Sequence, residues 1–148
     1  MAYGVVIKFD YLGESRKVIG VGATTMEDAI PDCPDFSSVG PPSYGNTTIK
    51  PDVAAPGHRV CSASHLSDDG YVELEGTSMA GSHVAGLVAL LLSKDNSLSN
   101  SAVRNCVRHG AEPTNSTGAN CGGLPADKFP NFHAGFGLTN APGALNCI

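Results

Sequence analysis

Apolar residues cluster in three short runs that predict strands, each bounded by turn-forming residues. The run KVIGVGAT (17–24) is rich in β-branched residues and ends in small ones, which predicts a buried strand. The segment IKPDVAAPGHRVCSA (49–63) has an apolar centre flanked by prolines, which predicts one short strand between turns. The stretch YVELEG (71–76) alternates apolar and acidic residues, as a strand with one face in water does.

Two longer segments carry the periodicity of helices. Between Met79 and Leu92 the chain has no Asp, Glu, Lys or Arg, and its small residues are spread all round the helix. This pattern predicts a helix that is buried on every side. The segment SLSNSAVRNCVRHGAE (97–112) begins with capping residues and spaces its apolar residues as one helix face does, which predicts a second helix.

The order of these elements predicts the fold class. Strands alternate with helices, and the last apolar segment, GFGLTNAPGAL (135–145), predicts a further strand and a short helical turn. We therefore expect an α/β domain with a parallel or mixed sheet. With 148 residues, of which 41% are hydrophobic and 16% charged, the chain is long enough for one domain with a buried core.

Charge and hydropathy exclude two classes of partner. The formal net charge is −5 and no long run of Lys or Arg occurs, which argues against nucleic acid. The apolar run from Val84 to Leu92 is far shorter than the roughly 20 residues of a membrane span. The first residues (1–17) lack the basic start and long apolar core of a signal peptide.

The cysteines and the glycosylation sequons favour secretion, in conflict with the missing signal peptide. Two Asn-x-Thr sequons occur, at 46–48 and 115–117. The five cysteines are Cys33, Cys61, Cys106, Cys121 and Cys147. No pair of them has the spacing of a zinc site, so disulfides are expected, with the pairing open and at least one thiol left over. These features predict an extracellular, disulfide-bonded glycoprotein.

Ser78 stands at the start of the apolar helix, and two interpretations of it are open. Thr77 or Ser78 can simply cap the helix by accepting a hydrogen bond from a backbone N–H. Alternatively, Ser78 is a nucleophile, because the N–H groups and dipole at a helix N-terminus stabilise the oxyanion of acyl transfer. A nucleophilic serine needs a base. His83 follows by five residues and lies about 140° round the helix, so we interpret it as a buried structural residue instead.

The residues around Ser78 resemble the serine box of the subtilisin-like serine peptidases (subtilases). GTSMAGSHVAG (76–86) is similar to G-T-S-M-A-x-P-H-V-A-G and departs from it only at Ser82, where the family usually has proline. The likeness runs from about Val18 to Leu145. Further segments resemble the family in the same order: VIGVGAT (18–24), FSSVGP (36–41), KPDVAAPG (50–57) and GFGLTNAPGAL (135–145).

The resemblance implies a role for Ser78 but not for a complete triad. It implies that Ser78 is the nucleophile of an Asp-His-Ser triad and that the backbone N–H of Ser78 serves the oxyanion. The family's aspartate lies in a D-S/T-G box and its histidine in an H-G-T box, both upstream of the serine, and neither box occurs here. His109 to Ala111 looks similar to the second box but follows the serine. The family's oxyanion asparagine is not matched either, since Gly45-Asn46 falls between two later family segments.

By this resemblance the chain is the C-terminal half of a subtilase catalytic domain. The implied fold is a three-layer α/β domain with a mostly parallel sheet and a buried central helix starting at Ser78. Residues 1–17 are expected to be a non-family N-terminal segment, and residues 18–148 the C-terminal portion of the peptidase domain. Protein or peptide substrates are expected, with the missing N-terminal half as a partner. The isolated chain is expected to be inactive and to expose apolar surface.

Two further functional hypotheses stay open. The serine box is one residue away from the G-x-S-x-G elbow of another hydrolase class, whose triad Asp95 or Asp127 and His109 or His133 would complete within this chain. The chain can also be a non-catalytic binding or inhibitory module derived from a subtilase.

The remaining acidic residues are given structural or solvated roles. Asp52 lies between Pro51 and Val53 and is interpreted as structural. Asp68, Asp69 and Glu73 carry oxygen ligands that a cation can use, but exposed acidic residues of this kind are usually solvated. Calcium is common in the family, yet its ligands cannot be matched here, so we assign no metal and no cofactor.

Overall fold

The computed structural model describes residues 15, 17–25, 36–42, 48–114 and 128–148. The elements follow the predicted order with two differences: the predicted strand at 49–63 is two strands, and the predicted strand in 135–145 forms only isolated bridges at Leu138. The strands are β1 (Val21–Thr24), β2 (Val53–Pro56), β3 (Val60–Ala63) and β4 (Tyr71–Leu74). The helices are α1 (Thr77–Lys94), α2 (Asn100–His109) and α3 (Ala141–Leu145).

A parallel pair of strands forms the centre of the described fold. β1 and β2 run parallel, with Val21 opposite Val53. The other edge of β2 is bonded to the C-terminal segment: the Ala54 N–H donates to the carbonyl of Gly137 (2.9 Å), and the Thr139 N–H donates to the carbonyl of Ala54 (2.9 Å). A parallel connection of this kind is the signature of the α/β class, so the predicted fold class is confirmed.

The prediction of a single strand in residues 49–63, which was based on the flanking prolines, is wrong. The chain turns at residues 57–59 and continues into β3, which pairs with β4 as an antiparallel hairpin. Arg59 occupies the left-handed region (φ 52°) in this turn, and its side chain pairs across the hairpin with Glu73 at 2.9 Å. The predicted single strand is therefore two strands that belong to different sheets.

The core lies between the parallel strands and one face of α1. Val84 and Leu87 of α1 pack with Val21 and Val53 of the strands, and all four are buried. Burying a side chain of this size contributes roughly 1.5–3 kcal/mol. α2 adds a second buried face, as its helical spacing predicts, with Val103, Cys106 and Val107 in the same cluster.

Two connections fix the C-terminal residues to the helices. Cys106 and Cys147 form a disulfide across a sequence separation of 41 residues, with their Cα atoms 5.3 Å apart. The Lys94 ammonium, at the end of α1, donates to the carbonyls of Leu145 (2.8 Å) and Ile148 (3.0 Å). The expected disulfide bonding is thus confirmed for one pair. Cys61 is free and exposed, whereas Cys33, Cys121 and both sequon asparagines lie outside the described residues.

The prediction that α1 is buried on every side is wrong. Leu90 is 52% exposed and Leu92 is 38% exposed, and the small residues Ala85, Gly86 and Ala89 are exposed as well. The strands and α2 cover one face only, and no described residue covers the opposite one. This confirms the expected exposed apolar surface. None of the helices within the described ranges is long and apolar enough to cross a bilayer.

We predict that Leu90→Lys improves the solubility of the chain. The substitution removes an exposed apolar side chain without opening the core, so thermal stability should change little. Light scattering of the purified chain at rising concentration should show a smaller aggregated fraction than in the wild type. Leu87→Lys is the matched control, since Leu87 is only 5% exposed and a charge there should destabilise the fold. A wild-type chain that stays monomeric and gains nothing from Leu90→Lys would contradict the prediction.

Candidate active site

α1 begins at Thr77, one residue before the expected start at Ser78, so Ser78 is the second residue of the helix. The strand β4 leads to Gly76, which has a φ of 138° that side-chain-bearing residues rarely adopt. The chain then enters the helix at Thr77, which is buried, while Ser78 is exposed. The sharp turn at Gly76 therefore presents the Ser78 hydroxyl to solvent at the helix N-terminus.

The first turn of α1 is not capped by a side chain. Gly76 is the N-cap residue, and its carbonyl accepts from the N–H groups of Met79 (3.1 Å) and Ala80 (3.4 Å). The alternative in which Thr77 or Ser78 caps the helix is therefore wrong. Within the described residues no acceptor bonds the N–H groups of Thr77 and Ser78. Free N–H groups at a helix N-terminus favour negative charge, as an oxyanion requires.

The N-terminus of α1 lies at the carboxyl end of the parallel strands. The Gly76 N–H donates to the carbonyl of Gly57 (2.7 Å), and the Gly57 N–H donates to the carbonyl of Thr24 (3.2 Å). A Cβ on Gly57 would lie 2.6 Å from the Cβ of Ala23, so only glycine allows this close approach. Ser78 thus stands at the edge where open α/β sheets commonly bind ligands.

No described residue acts as a base for Ser78. Neither a histidine nor any other described side chain hydrogen-bonds the Ser78 hydroxyl. The backbone carbonyl of Ser78 accepts from the Ser82 hydroxyl (3.1 Å). His83 donates from Nδ1 to the carbonyl of Met79 (3.0 Å). His58 stacks on Phe36 with ring centroids 6.2 Å apart and lies 3.4 Å from the Glu75 carboxylate.

The prediction that His83 is a buried residue is wrong. His83 lies on the uncovered face of α1 and is exposed, for the same reason that Leu90 is. Its Nδ1 bonds the Met79 carbonyl rather than the Ser78 hydroxyl, in agreement with its exclusion as the base. It lines an open groove of about 450 Å³ between the β3–β4 hairpin and α1, together with Met79 and Ser82.

Asp95 lies too far from Ser78 to be the acid of the alternative hydrolase triad. Asp95 is the C-cap of α1, so about 25 Å of helix separates it from Ser78. Its carboxylate accepts from the Ser97 hydroxyl and N–H, which lowers the pKa of Asp95. His133 is buried, and Asp127 lies outside the described residues. His109 ends α2, so the described residues assemble no Ser-acid-His set around Ser78.

A buried ion cluster lies behind β2, and Asp52 is its centre. The Asp52 carboxylate accepts from the Lys50 ammonium (2.5 Å), the Gly20 N–H (2.8 Å) and Arg108 Nε (2.6 Å). Arg104 Nε lies 3.5 Å away. The side chains of Lys50 and Asp52 are both fully buried. Burial lowers the pKa of Lys50, and the Asp52 charge offsets part of that lowering. The structural interpretation of Asp52 is confirmed.

The described residues do not fit a metal site. Within the described ranges, no group of three or more His, Cys, Asp or Glu side chains is placed to hold an ion. Glu73 is paired with Arg59 instead (2.9 Å).

One feature of this end of the sheet was missed by sequence reasoning. The side-chain hydroxyls of Thr24 and Thr25, at the carboxyl end of β1, are buried and have no hydrogen-bond partner among the described residues. Buried hydroxyls are normally hydrogen-bonded, so we infer that these two bond polar groups from outside the described residues. The signal in the sequence is the pair of threonines that ends an otherwise apolar run.

Comparison with known proteins decides the family. The model of the subtilase family matches residues 8–137. The chain belongs to the subtilase family. It is 35% identical over 116 residues to subtilisin-like protease SBT3.6 of Arabidopsis thaliana, covering 75% of this chain. It is 36% identical over 129 residues to bacillopeptidase F of Bacillus subtilis, covering 85% of this chain.

Solved structures agree with this family and fold. The subtilase chain matches the prenylagaramide maturation protease PagA with a TM-score of 0.62 and 27% identity, over 92% of this chain and 44% of that one. It matches the CspB protease of Clostridium perfringens with a TM-score of 0.67 and 26% identity, over 86% of this chain and 25% of that one.

The subtilase chain covers only part of these relatives. It spans 15% of the length of SBT3.6 and 8% of bacillopeptidase F. The boundary between residues 1–17 and 18–148 stays a prediction.

Two of the segments that resemble the family make structural contacts. Ser37 of FSSVGP accepts from the Ala23 N–H of β1 (3.0 Å). KPDVAAPG contains the buried Lys50–Asp52 ion pair.

Proposed function

We propose that Ser78 is the nucleophile of a subtilisin-like serine endopeptidase that hydrolyses peptide bonds in proteins or peptides. The observation that carries the proposal is the exposed Ser78 hydroxyl at a helix N-terminus without a side-chain cap, where no described acceptor bonds the Ser78 N–H. The serine box around it supports the same assignment, because every residue from Gly76 to Ala80 agrees with the family's motif.

The chemistry follows from this arrangement. The Ser78 oxygen attacks the carbonyl carbon of the scissile bond while a base takes the hydroxyl proton. The Ser78 N–H donates to the oxyanion that forms, and the helix dipole stabilises the same charge. The proton then passes to the leaving amine, which leaves an acyl group on Ser78. Water attacks that ester in the same manner, returns the serine and releases the acid.

We further propose that the base and its orienting aspartate come from outside this chain. No H-G-T or D-S/T-G box occurs in the sequence, and no described side chain bonds the Ser78 hydroxyl. Without a base, Ser78 is an alcohol of ordinary reactivity, so the isolated chain is inactive. The partner is then a polypeptide that supplies the N-terminal half of a subtilase domain.

A fluorophosphonate probe tests the assignment, since it reacts with activated serines. Native extracts of the source organism are labelled, the peptide that contains Ser78 is isolated, and the mass of its parent protein is measured. A labelled parent well above 15.1 kDa supports a base outside this chain. A labelled parent near 15.1 kDa, running alone under native conditions, would show that the chain supplies its own base. Absence of label favours the alternative, a non-catalytic binding or inhibitory module.

We predict that the purified chain neither takes up the probe nor cleaves a fluorogenic peptide. Ser78→Ala and wild type should give the same background rate. Ser82→Ala is the matched control, because Ser82 is an exposed serine of the same helix turn. Turnover by the wild type that disappears in Ser78→Ala and persists in Ser82→Ala would overturn the proposed inactivity while supporting the nucleophile.

We also propose that the chain works outside the cell. The Cys106–Cys147 disulfide supports an oxidising compartment, and the two sequons fit the same setting. Enzymatic removal of N-linked glycans from the native protein should lower its mass. Native protein whose mass does not change and whose cysteines are all reduced would count against secretion.

A further inference from the structure

The turn that presents Ser78 is tied to the start of the β3–β4 hairpin by a backbone bond. The Gly76 N–H donates to the carbonyl of Gly57 (2.7 Å), and the carbonyl of Gly76 accepts the first hydrogen bonds of α1. The ladder of the hairpin starts beyond this bond, with Val60 opposite Leu74. Contacts that hold residues 57 and 76 together therefore also hold the N-terminus of α1 in place.

Between this bond and the ladder, two residues of one strand oppose one residue of the other. His58 and Arg59 follow on one side, whereas Glu75 alone lies on the other. This two-to-one count is that of a β-bulge, a feature that re-aims side chains and is common beside active sites. Arg59 adopts the left-handed conformation (φ 52°), which a residue with a side chain keeps only where the surrounding contacts enforce it.

Two ion pairs cross the bulge, and they respond differently to pH. Arg59 Nε lies 2.9 Å from the Glu73 carboxylate, and this hydrogen bond raises the pKa of Arg59, so that pair keeps its charges. His58 Nε2 lies 3.4 Å from the Glu75 carboxylate. Histidine side chains change their charge between about pH 5 and 8. The His58–Glu75 pair therefore joins opposite charges only when the imidazole is protonated.

An aromatic ring holds the imidazole of His58 in position. The rings of Phe36 and His58 are stacked, with centroids 6.2 Å apart and planes at 21°, within the range of favourable aromatic pairs. Phe36 is itself anchored, because the adjacent Ser37 hydroxyl accepts from the Ala23 N–H of β1 (3.0 Å). The side chain of His58 is 35% exposed, so its ring exchanges protons with solvent while it stays beside Glu75.

We propose that His58 and Glu75 are positioning residues that form a proton-dependent clamp on the turn at Gly76. The inference rests on the proposed function, since this turn presents the Ser78 hydroxyl. Protonation of His58 completes the ion pair across the bulge and holds Gly57 and Gly76 together. Loss of the proton leaves a neutral contact, and the turn opens more often. The turn is then held most firmly at acid pH.

The other described groups around His58 do not reverse this dependence. In the hairpin, Arg59 and Glu73 are paired with each other. In the segment before β2, the stacked ring of Phe36 carries no charge. In α1, the first turn (77–80) contains no titratable side chain. Glutamate side chains are largely ionised over the range in which histidine titrates, so the charge of His58 decides whether the ion pair forms.

Backbone amide exchange of the purified chain measures how often this turn opens. The protection factor of the Gly76 amide should be about two- to fivefold higher at about pH 5.5 than at about pH 8, since an exposed ion pair contributes an effect of this size. Protection factors are corrected for the pH dependence of exchange itself. The amides of Val103 and Val107, which are buried in α2, should show no such difference and report an intact core.

Three variants separate the charge of His58 from the shape of its ring. His58→Gln and Glu75→Gln cannot form the ion pair, so each should give the lower protection of Gly76 at both pH values. His58→Lys carries its charge at both pH values and should give the higher protection at both. His65→Gln is the matched control, because His65 is another exposed histidine between β3 and β4, and it should keep the pH dependence of the wild type.

Three results would contradict the clamp. The first is equal protection of Gly76 at both pH values in the wild type. The second is a pH dependence that persists in His58→Gln, and the third is one that the amides of α2 share. The measurement involves no reaction of Ser78. A serine that is not a nucleophile would leave these results unchanged, and a failed clamp would leave the assignment of the nucleophile standing.

Discussion

Asp52→Asn is expected to lower the free energy of unfolding by about 3–5 kcal/mol, the range for removal of one partner from a buried ion pair. Among the described carboxylates, Asp52 alone pairs with Lys50, Arg104 and Arg108. The amide of asparagine keeps the shape of the side chain but not its charge. Lys50, which is fully buried, would then keep its desolvation cost without the charge that offsets it.

Asparagine keeps only one acceptor oxygen, whereas Asp52 uses one oxygen for Lys50 and the Gly20 N–H just before β1 (2.8 Å) and the other for Arg108, so one of these two sets of bonds is lost. Urea unfolding followed by circular dichroism gives the free energy directly. Asp69→Asn is the matched control, since Asp69 is exposed and should tolerate the same change with little effect. A loss below about 1 kcal/mol in Asp52→Asn would show that water or rearrangement compensates the cations.

Removal of the Cys106–Cys147 disulfide, by substituting serine at both positions, is expected to cost about 2–4 kcal/mol. Closing a loop of this length restricts the unfolded chain, and the sequence separation of 41 residues gives about 4 kcal/mol by loop-closure entropy. Cys106 is also buried, so a serine hydroxyl there loses apolar packing. The Lys94 bonds to Leu145 and Ile148 remain and keep part of the C-terminal anchoring.

Thermal unfolding of the double variant measures this cost, and Cys61→Ser serves as the control because Cys61 is free and exposed. The control should melt with the wild type, and the double variant well below it. A double variant that melts with the wild type would mean that the disulfide joins residues already held by other contacts. In that case the loop-closure argument would not apply to this chain.

Local sequence rules predict the elements whose partners are close by or whose pattern is simple. The β-branched run before Thr24 becomes β1, and the helical spacing of Val103 and Val107 becomes α2. Ser99 caps that helix by accepting from the Ala102 N–H (3.2 Å), as its residue type predicts. These features depend on one segment and a single buried face.

The burial of residues on α1 was less predictable, because it depends on which other segments pack against the helix. α1 is apolar all round, and a pattern of this kind shows what a helix can bury rather than what is present to cover it. The errors at His83 and Leu90 have this common origin. The turn at Arg59 was missed because the two prolines nearby suggested that the strand simply ended.

The candidate site was predicted in part. The position of Ser78 at a helix start follows from the sequence, because Gly76 precedes a largely apolar run without Asp, Glu, Lys or Arg. The ion cluster around Asp52 could not be predicted from the sequence, because Arg108 lies 56 residues further along the chain and only the fold brings the two together. The charged pair Lys50 and Asp52, directly before the apolar strand β2, was the available signal, because buried charges require partners.

The position of Leu138 beside β2 has a consequence for the biosynthesis of the chain. The outer edge of β2 is paired only when residues 137–139 reach Ala54, about 85 residues later in the sequence. At a translation rate of roughly 5–20 residues per second, that edge waits roughly 4–17 seconds on the ribosome before its partner is made. A nascent chain therefore carries an unpaired strand throughout the synthesis of both long helices. Chaperones that bind extended apolar segments would find their site at β2 during this interval.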